Sequence, residues 1–458
     1  MTVTVRRRVV DESTVVHEIS GLTLNKETLD KIPSDNRVHE RLRASFPNLD
    51  IEDEDFITAK TSKTLFSATS KTTYHTAPSG TIPKPESLSN RLPEDHEYAK
   101  LLESKNLWPV DGTAEKDWSN RGQHAEFLKS ERNLLNAILE VRDILGSTRT
   151  AVVQSVLCKR ILLARKTIQC NRRFTKEQAI EEVAHLTRLQ HSHILQVIGT
   201  YTMDTTISIL LYPVADYNLS AFLDRLTPDL LGIEEWNRRK FFLRRSFGCL
   251  SYTVCYIHQK LVKHMDIKPQ NVLVRHIQGT DGYRIYIADF GIARSYQTLE
   301  ESDTEGYTLF TRKYSAPEVV DKATRGLGAD VFSLGCVFLE IAAALARAWS
   351  SLSTVSLDRA ESEWDRICHL DDLLKSNEYD DSSYQANIEP LQILFNALQT
   401  EDRRPCDDLQ HIWKIISQMM TVRPEERPSS AVVAKWLVHH RGGCCRAVSE
   451  PLEAAKRF

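Results

Sequence analysis

The spacing of apolar residues changes several times along the chain, and each change marks a new kind of segment. Residues 1–57 mix charged and apolar positions, with a helical pattern over Val38–Phe46 and an acidic run, Glu52-Asp53-Glu54-Asp55, that reads as a solvated face. From Thr58 to Pro93 large apolar residues are scarce and Ser, Thr, Lys and Pro dominate. Such a stretch buries too little surface to offset the entropy of ordering, so residues 58–94 read as a disordered linker. Residues 95–137 regain large apolar side chains (Leu101, Trp108, Trp118, Phe127), which predicts ordered pieces docked on the domain that follows.

From about residue 138 the pattern becomes short β-branched runs. Val152–Cys158 and Ile161–Ile168, joined at Lys159-Arg160, predict a hairpin. Thr175–Leu189 places Ile180, Val183, Leu186 and Leu189 on one helical face. Leu195–Thr202 and Ile207–Val214 read as further strands. Beyond Leu219 the periodicity is helical, over Lys240–His258, Ala329–Ala346 and His411–Met420. The expectation is an α+β protein with a small β-rich lobe carrying one helix and a larger helical lobe, together spanning 138–440, then a tail over 441–458.

Composition narrows this picture. A chain of 458 residues has room for a two-lobed unit plus an extension, and no repeat period suggests a solenoid or propeller. A net charge of -3 offers no general attraction to nucleic acid or anionic membrane. Arg238-Arg239-Lys240 and Arg244-Arg245, flanking Phe241, Phe242 and Leu243, read as the solvated face of an amphipathic helix. The apolar tract Val331–Trp349 is interrupted by Glu340 and Arg347, so it reads as a core helix and no membrane span is expected. Nine cysteines without CxxC spacing argue against a disulfide framework or a zinc site and point to a reducing compartment. Arg6-Arg7-Arg8 runs into Asp11 and Glu12 where an export signal needs an apolar run. An intracellular location, cytoplasmic or nuclear, is expected; oligomeric state is not indicated.

Chemistry concentrates in His264-Met-Asp-Ile-Lys-Pro-Gln-Asn271, followed by Ala288-Asp-Phe-Gly291. These segments resemble the catalytic and metal-binding loops of eukaryotic protein kinases, in their Ser/Thr branch. The resemblance extends over roughly two thirds of the chain, from Ile144 to His440, through Leu163-Ala-Arg-Lys166, Glu182, Ala316-Pro-Glu318, Asp330 and Arg427 in family order. It implies transfer of the γ-phosphate of ATP, with Mg2+, to a serine or threonine of a protein substrate. By the same resemblance Asp266 would take the hydroxyl proton and Lys268 would steady the transferring phosphate. Asn271 and Asp289 would bind Mg2+, and Lys166 would hold the α- and β-phosphates. The spacing of the following helix selects Glu182 as the partner of Lys166, because Glu181 points about 100° away. Gly146, Val153, Ala164, Leu211 and Leu273 would line the nucleotide pocket. The hinge Leu211-Tyr-Pro-Val214 would offer the Tyr212 C=O and the Val214 N–H, with Pro213 facing away. Thr311 matches the threonine expected near the catalytic loop. Glu318 and Arg427 would form a buried bracing pair, and Asp330 would anchor the catalytic loop.

Several positions depart from the family pattern. Gly146-Ser-Thr-Arg-Thr-Ala-Val-Val153 keeps the first loop glycine, but Thr148 and Ala151 stand at the other two. Glycine permits close approach of backbone to phosphate, so ATP binding is expected to weaken. Met265 stands where an arginine would pair with a phosphorylated activation loop, making phosphorylation at Ser302, Thr304 or Thr308 dispensable. The irregular stretch between Ala346 and Leu409, with Glu378-Tyr-Asp-Asp-Ser-Ser, reads as an insertion that influences substrate choice. His185, His191 and His193 read as parts of an ordinary helix-to-strand turn and not as metal ligands. The alternative function is a pseudokinase scaffold; Ala316-Pro-Glu318, resembling a peptide-docking loop, argues against a metabolite kinase.

Overall fold

The computed structural model describes residues 5–11, 14–19 and 22–24, then 96–444 apart from 109–114, 149, 173–174, 278–281, 292, 296–310, 322–325, 351–368, 376, 378–380, 401–406 and 443. The expected helix at Val38–Phe46, the acidic run, the linker, the activation-loop hydroxyls and part of the insertion and tail lie outside the described residues. The first described piece is an antiparallel meander, β1 (Val5–Asp11), β2 (Thr14–Ile19) and β3 (Leu22–Leu24), where sequence reasoning expected no strands.

The small lobe is a six-stranded sheet. Its strands are β4 (His124–Phe127), β5 (Leu139–Ser147), β6 (Ala151–Cys158), β7 (Ile161–Gln169), β8 (Gln196–Met203) and β9 (Thr206–Tyr212), in the order β4-β8-β9-β7-β6-β5. All neighbours are antiparallel except β4 and β8, which run parallel. The predicted hairpin is β6–β7, and Lys159 makes its tight turn in a left-handed conformation (φ 55°). The lobe's long helix begins where Thr175 and Gln178 cap each other reciprocally, which typically contributes about 1 kcal/mol.

Helix α1 (Glu97–Ser104) precedes this sheet, helix α2 (Arg132–Ile138) lies between β4 and β5, and helix α3 (Lys176–Arg188) packs on the sheet. Trp118, Phe127, Leu135 and Leu139 form a separate buried cluster with Val156, Tyr201 and Leu210. The segment before residue 138 is thus built into the small lobe, contributing both a strand and a core.

The second lobe comprises α4 (Leu219–Asp224), α5 (Ile233–Gln259), α6 (Gly328–Ser350), α7 (Ile388–Thr400), α8 (Asp407–Met419) and α9 (Ser430–Trp436). Small ladders hold its loops: β10 (Tyr217–Asn218), β12 (Val272–His276) and β13 (Tyr283–Ile287) in one, and β11 (Val262–Lys263) with β14 (Arg294–Ser295) in another. Residues 328–346 of α6 are apolar and long enough to cross a membrane, but 94% of that window is buried inside the protein. This is a core helix, apolar on most of its surface because protein surrounds it, with Asp330 and Glu340 as polar exceptions.

Candidate active site

Strand β7 carries Lys166 and helix α3 carries Glu182. Lys166 Nζ donates to both Glu182 carboxylate oxygens at 2.9 Å and to Asp289 Oδ1 at 2.8 Å. Burial works against the Lys166 charge, but the two carboxylates overcome it and hold its pKa above the ordinary lysine value. The same ion pair acts in the opposite sense on Asp289, whose carboxyl is held below its usual range chiefly by the Lys166 charge. Glu181 points to the other face of α3 and pairs with Lys105 at 2.7 Å, so helical spacing selected the correct partner.

The second half of the site is a mesh around Asp266. Lys268 Nζ lies 2.6 Å from Asp266 Oδ2, and the Thr311 hydroxyl donates to Asp266 Oδ1 at 2.8 Å while accepting from Lys268 at 2.7 Å. Asn271 Nδ2 donates to the Asp266 carbonyl and to Oδ2, both at 2.9 Å, which leaves its amide oxygen to act as a ligand. The loop geometry is held from beneath. Asp330, buried in α6, accepts from the backbone N–H groups of His264 and Met265 at 2.8 Å, and His258 Nε2 lies 3.1 Å from the same carboxylate. Burial pushes the Asp330 carboxyl up, but the His258 contact and the backbone donors outweigh it and hold the group below its usual range. Met265 and Asp289 both sit at positive φ, 67° and 65°, a sparsely populated region for such residues that concentrates at functional sites.

Between the halves lies a cavity of about 750 Å³. Gly146, Val153, Ala164, Lys166, Glu182, Leu211, Lys268, Asn271, Leu273 and Asp289 all line it. Asp266 does not, but its partners Lys268 and Asn271 do. The hinge differs from expectation: Leu211, Pro213 and Ala215 are on the wall, whereas Tyr212 and Val214 are not. The strand ends at Tyr212 and the chain bends at Pro213, which faces the cavity, while Tyr212 lies against Arg275 and Val214 packs on the core. The wall also includes Thr148, Ala151 and Gln270 from the two loop motifs, and Leu145, Leu195 and Asp216, which carried no motif in the sequence.

The turn between β5 and β6 closes on itself. Thr148 N–H donates to the Ala151 carbonyl at 2.7 Å, and the Thr148 hydroxyl accepts from Ala151 N–H at 3.1 Å and Thr150 N–H at 3.4 Å. Three backbone donors of this turn are therefore engaged locally, two of them, the Thr150 and Ala151 N–H groups, by a Thr148 hydroxyl that glycine would not supply. Outside the cavity, Arg427 grips Glu318 with two bonds of 2.7 and 2.8 Å and also donates to the carbonyls of Thr421, Val422 and Gly328. Arg312 and Lys313 face Asp381 and Asp371, and the Tyr314 and Tyr384 hydroxyls both donate to Glu340 at 2.9 Å. The described end of the insertion thus packs on the 311–318 loop.

The family model for the protein kinase domain matches residues 139–441. The chain is similar to the serine/threonine-protein kinase nekl-2 of Caenorhabditis elegans, 29% identical over 171 residues, 36% of this chain and 45% of that protein. It is also similar to human mitogen-activated protein kinase kinase kinase 5, 33% identical over 164 residues, covering 35% of this chain and 11% of that protein. To cyclin-dependent kinase 4 of Xenopus laevis it is 27% identical over 223 residues, 47% of this chain and 62% of that one. The chain spans less than half the length of the first two of these relatives.

Proposed function

Because the chain belongs to the protein kinase domain family, we propose that it is a Ser/Thr protein kinase that uses Mg-ATP. The observation that carries this reading is the Asp266 mesh: Lys268 and Thr311 each hold one of its carboxylate oxygens, beside a cavity whose wall presents Asn271, Asp289 and Lys166.

The cavity suits a nucleotide in size and character, with Val153, Ala164, Leu211 and Leu273 as apolar walls and Lys166 and Asp289 as a charged end. The Asn271 amide oxygen and the Asp289 carboxylate are hard donors of the kind Mg2+ takes. When bound, that ion would neutralise charge on the phosphates. Lys166, kept charged by Glu182, would bind the α- and β-phosphates. Asp266 would align the substrate hydroxyl and accept its proton as the new O–P bond forms. The bond from the β,γ-bridging oxygen to the γ-phosphorus breaks, and ADP leaves. Lys268 would follow the transferring phosphoryl group, and Thr311 would keep Asp266 and Lys268 in register. The 311–318 loop with Arg312 and Lys313 would meet the protein substrate.

A second reading, a nucleotide-independent scaffold, is favoured by the self-satisfied turn at Thr148–Ala151, which withholds donors from a phosphate. Labelled γ-phosphate transfer to the protein itself and to a basic Ser/Thr peptide decides between them. Transfer by the wild type that is lost in Asp266→Asn and Lys166→Met supports the kinase. Equal background in all three, with no thermal stabilisation by Mg-ATP, supports the scaffold.

A further inference from the structure

Away from the catalytic cleft, three soft donors converge among the described residues: His193, Cys249 and Cys444. They come from the turn before β8, the middle of α5 and the chain beyond α9, so 251 positions separate the first from the last. The two sulfurs lie 3.9 Å apart, Cys444 Sγ lies 3.4 Å from His193 Nε2, and all three ligand atoms fall within 4.8 Å of one another. Tetrahedral zinc, with Zn–S of about 2.3 Å and Zn–N of about 2.0–2.1 Å, requires S···S near 3.8 Å and N···S near 3.5 Å. The S···S separation of 3.9 Å and the Cys444–His193 separation of 3.4 Å therefore match two edges of a zinc tetrahedron, and the third donor pair lies within 4.8 Å.

The surroundings also fit. His193 Nδ1 is 2.6 Å from the Ile285 carbonyl, which must accept a proton there, so the Nε2 lone pair is the one directed toward sulfur. A carbonyl behind the ring is the usual support of a metal-binding histidine. Gly442 N–H donates to Cys249 Sγ at 3.3 Å, a bond that stabilises a thiolate. A cavity of about 450 Å³ adjoins the group, lined also by Arg238, Arg245 and Arg284, with space for a water as fourth ligand.

We propose that His193, Cys249 and Cys444 form a zinc site. Thiolate and imidazole donors suit Zn2+ and not Mg2+, and binding would release the two thiol protons to solvent. The ion would fasten the 440–444 segment to α5, where Arg245 already donates to the Arg441 carbonyl at 3.2 Å and Arg441 lies 3.9 Å over the Tyr252 ring. It would also brace β13. His193 holds this strand twice, through Nδ1 at Ile285 and through its carbonyl, which accepts from Ile287 N–H at 2.8 Å. Asp289 follows two residues later. Widely spaced single cysteines conceal such a site in the sequence, because only folding assembles the donors.

The test is metal binding by the full chain after reduction and chelation. Titration with Co2+ is expected to give thiolate-to-metal charge-transfer absorption that saturates at one ion per chain and is lost in Cys444→Ser. Zinc is expected to raise the melting temperature of the wild type and not of that variant. Cys444 is half-buried on a terminal segment, and circular dichroism of Cys444→Ser checks that it folds. Should it not fold, the wild-type cobalt spectrum and zinc stoichiometry decide alone. Native wild-type protein without charge-transfer absorption overturns the proposal, as does an undiminished signal in folded Cys444→Ser. A Cys249–Cys444 disulfide formed by diamide in a chain that takes up no metal when reduced would also overturn it, making the pair a redox link.

Discussion

Asp330 holds Met265 in a left-handed backbone conformation, accepting its N–H at 2.8 Å across 65 positions of chain. The other Asp330 oxygen accepts from His264 N–H, so one buried carboxylate sets the path of the loop that carries Asp266. Asp330→Ala strands two backbone donors and releases a conformation that costs energy to maintain. We expect stability to fall by about 2 kcal/mol or more, with phosphoryl transfer declining in the protein that remains folded. Urea unfolding alongside activity per folded molecule checks this; unchanged values for both would remove Asp330 from the loop's support.

Arg427 and Glu318 form a buried bidentate pair, with the Arg427 side chain fully covered. Removing one partner leaves an uncompensated charge, so Arg427→Met should cost about 3–5 kcal/mol. The double variant Arg427→Met, Glu318→Leu should recover part of that loss. Equilibrium unfolding of the three proteins measures the coupling, and strict additivity would contradict a direct pair.

Thr311 bridges Asp266 and Lys268, and its hydroxyl is the only part of it that does so. Thr311→Ala is expected to lower kcat by about 5–30-fold, equivalent to about 1–2 kcal/mol of lost positioning, while KM for ATP changes little. Thr311→Ser keeps the hydroxyl and should stay near wild type. A large KM effect with unchanged kcat would assign Thr311 to binding instead.

His124 docks β4, its Nδ1 lying 2.7 Å from the Thr200 hydroxyl, which is itself 2.5 Å from the Tyr98 hydroxyl. Burial pushes its pKa down to about 4. Above pH 6.5 both folded and unfolded chains carry it neutral. Between about 6.5 and 4 the unfolded chain binds a proton that the folded one refuses, so stability falls as pH falls through that window and then levels. The full effect is on the order of 3 kcal/mol. Unfolding free energies from pH 7.5 to 4.5 should show a steeper decline for wild type than for His124→Gln; parallel curves would show that His124 does not titrate this way.

Gly199 lies on β8 where the Trp118 indole donates to the Gln123 carbonyl at 2.9 Å. A Cβ there would collide with both the Gln123 carbonyl and the Trp118 ring. Gly199→Ala is therefore expected to displace the 115–127 segment from the sheet, red-shifting tryptophan emission and opening the segment to limited proteolysis. Wild-type emission and protection would show that the segment docks elsewhere.

Local chemistry made much of this protein legible in its residues alone. Alternating β-branched runs announce the β6–β7 hairpin, the 3.6-residue period places Ile180 and Val183 in the core, and the same period chooses Glu182 over Glu181. The ordered acids, lysines and asparagine of the active site are readable because each must stand near its motif neighbours to align a phosphate.

What only the tertiary structure decided is which distant surfaces meet. Four residues of β4 carry too little pattern to reveal a parallel pairing with β8, 76 positions away at His124 and Thr200. The bend after β9 put Pro213 on the cavity wall where the motif alone had it facing away. Thr148 closed the β5–β6 turn through its own hydroxyl. His193, Cys249 and Cys444 met across three separate segments. Periodicity records that a face is buried; it holds no information about what covers it, and that choice belongs to the packing of the whole chain.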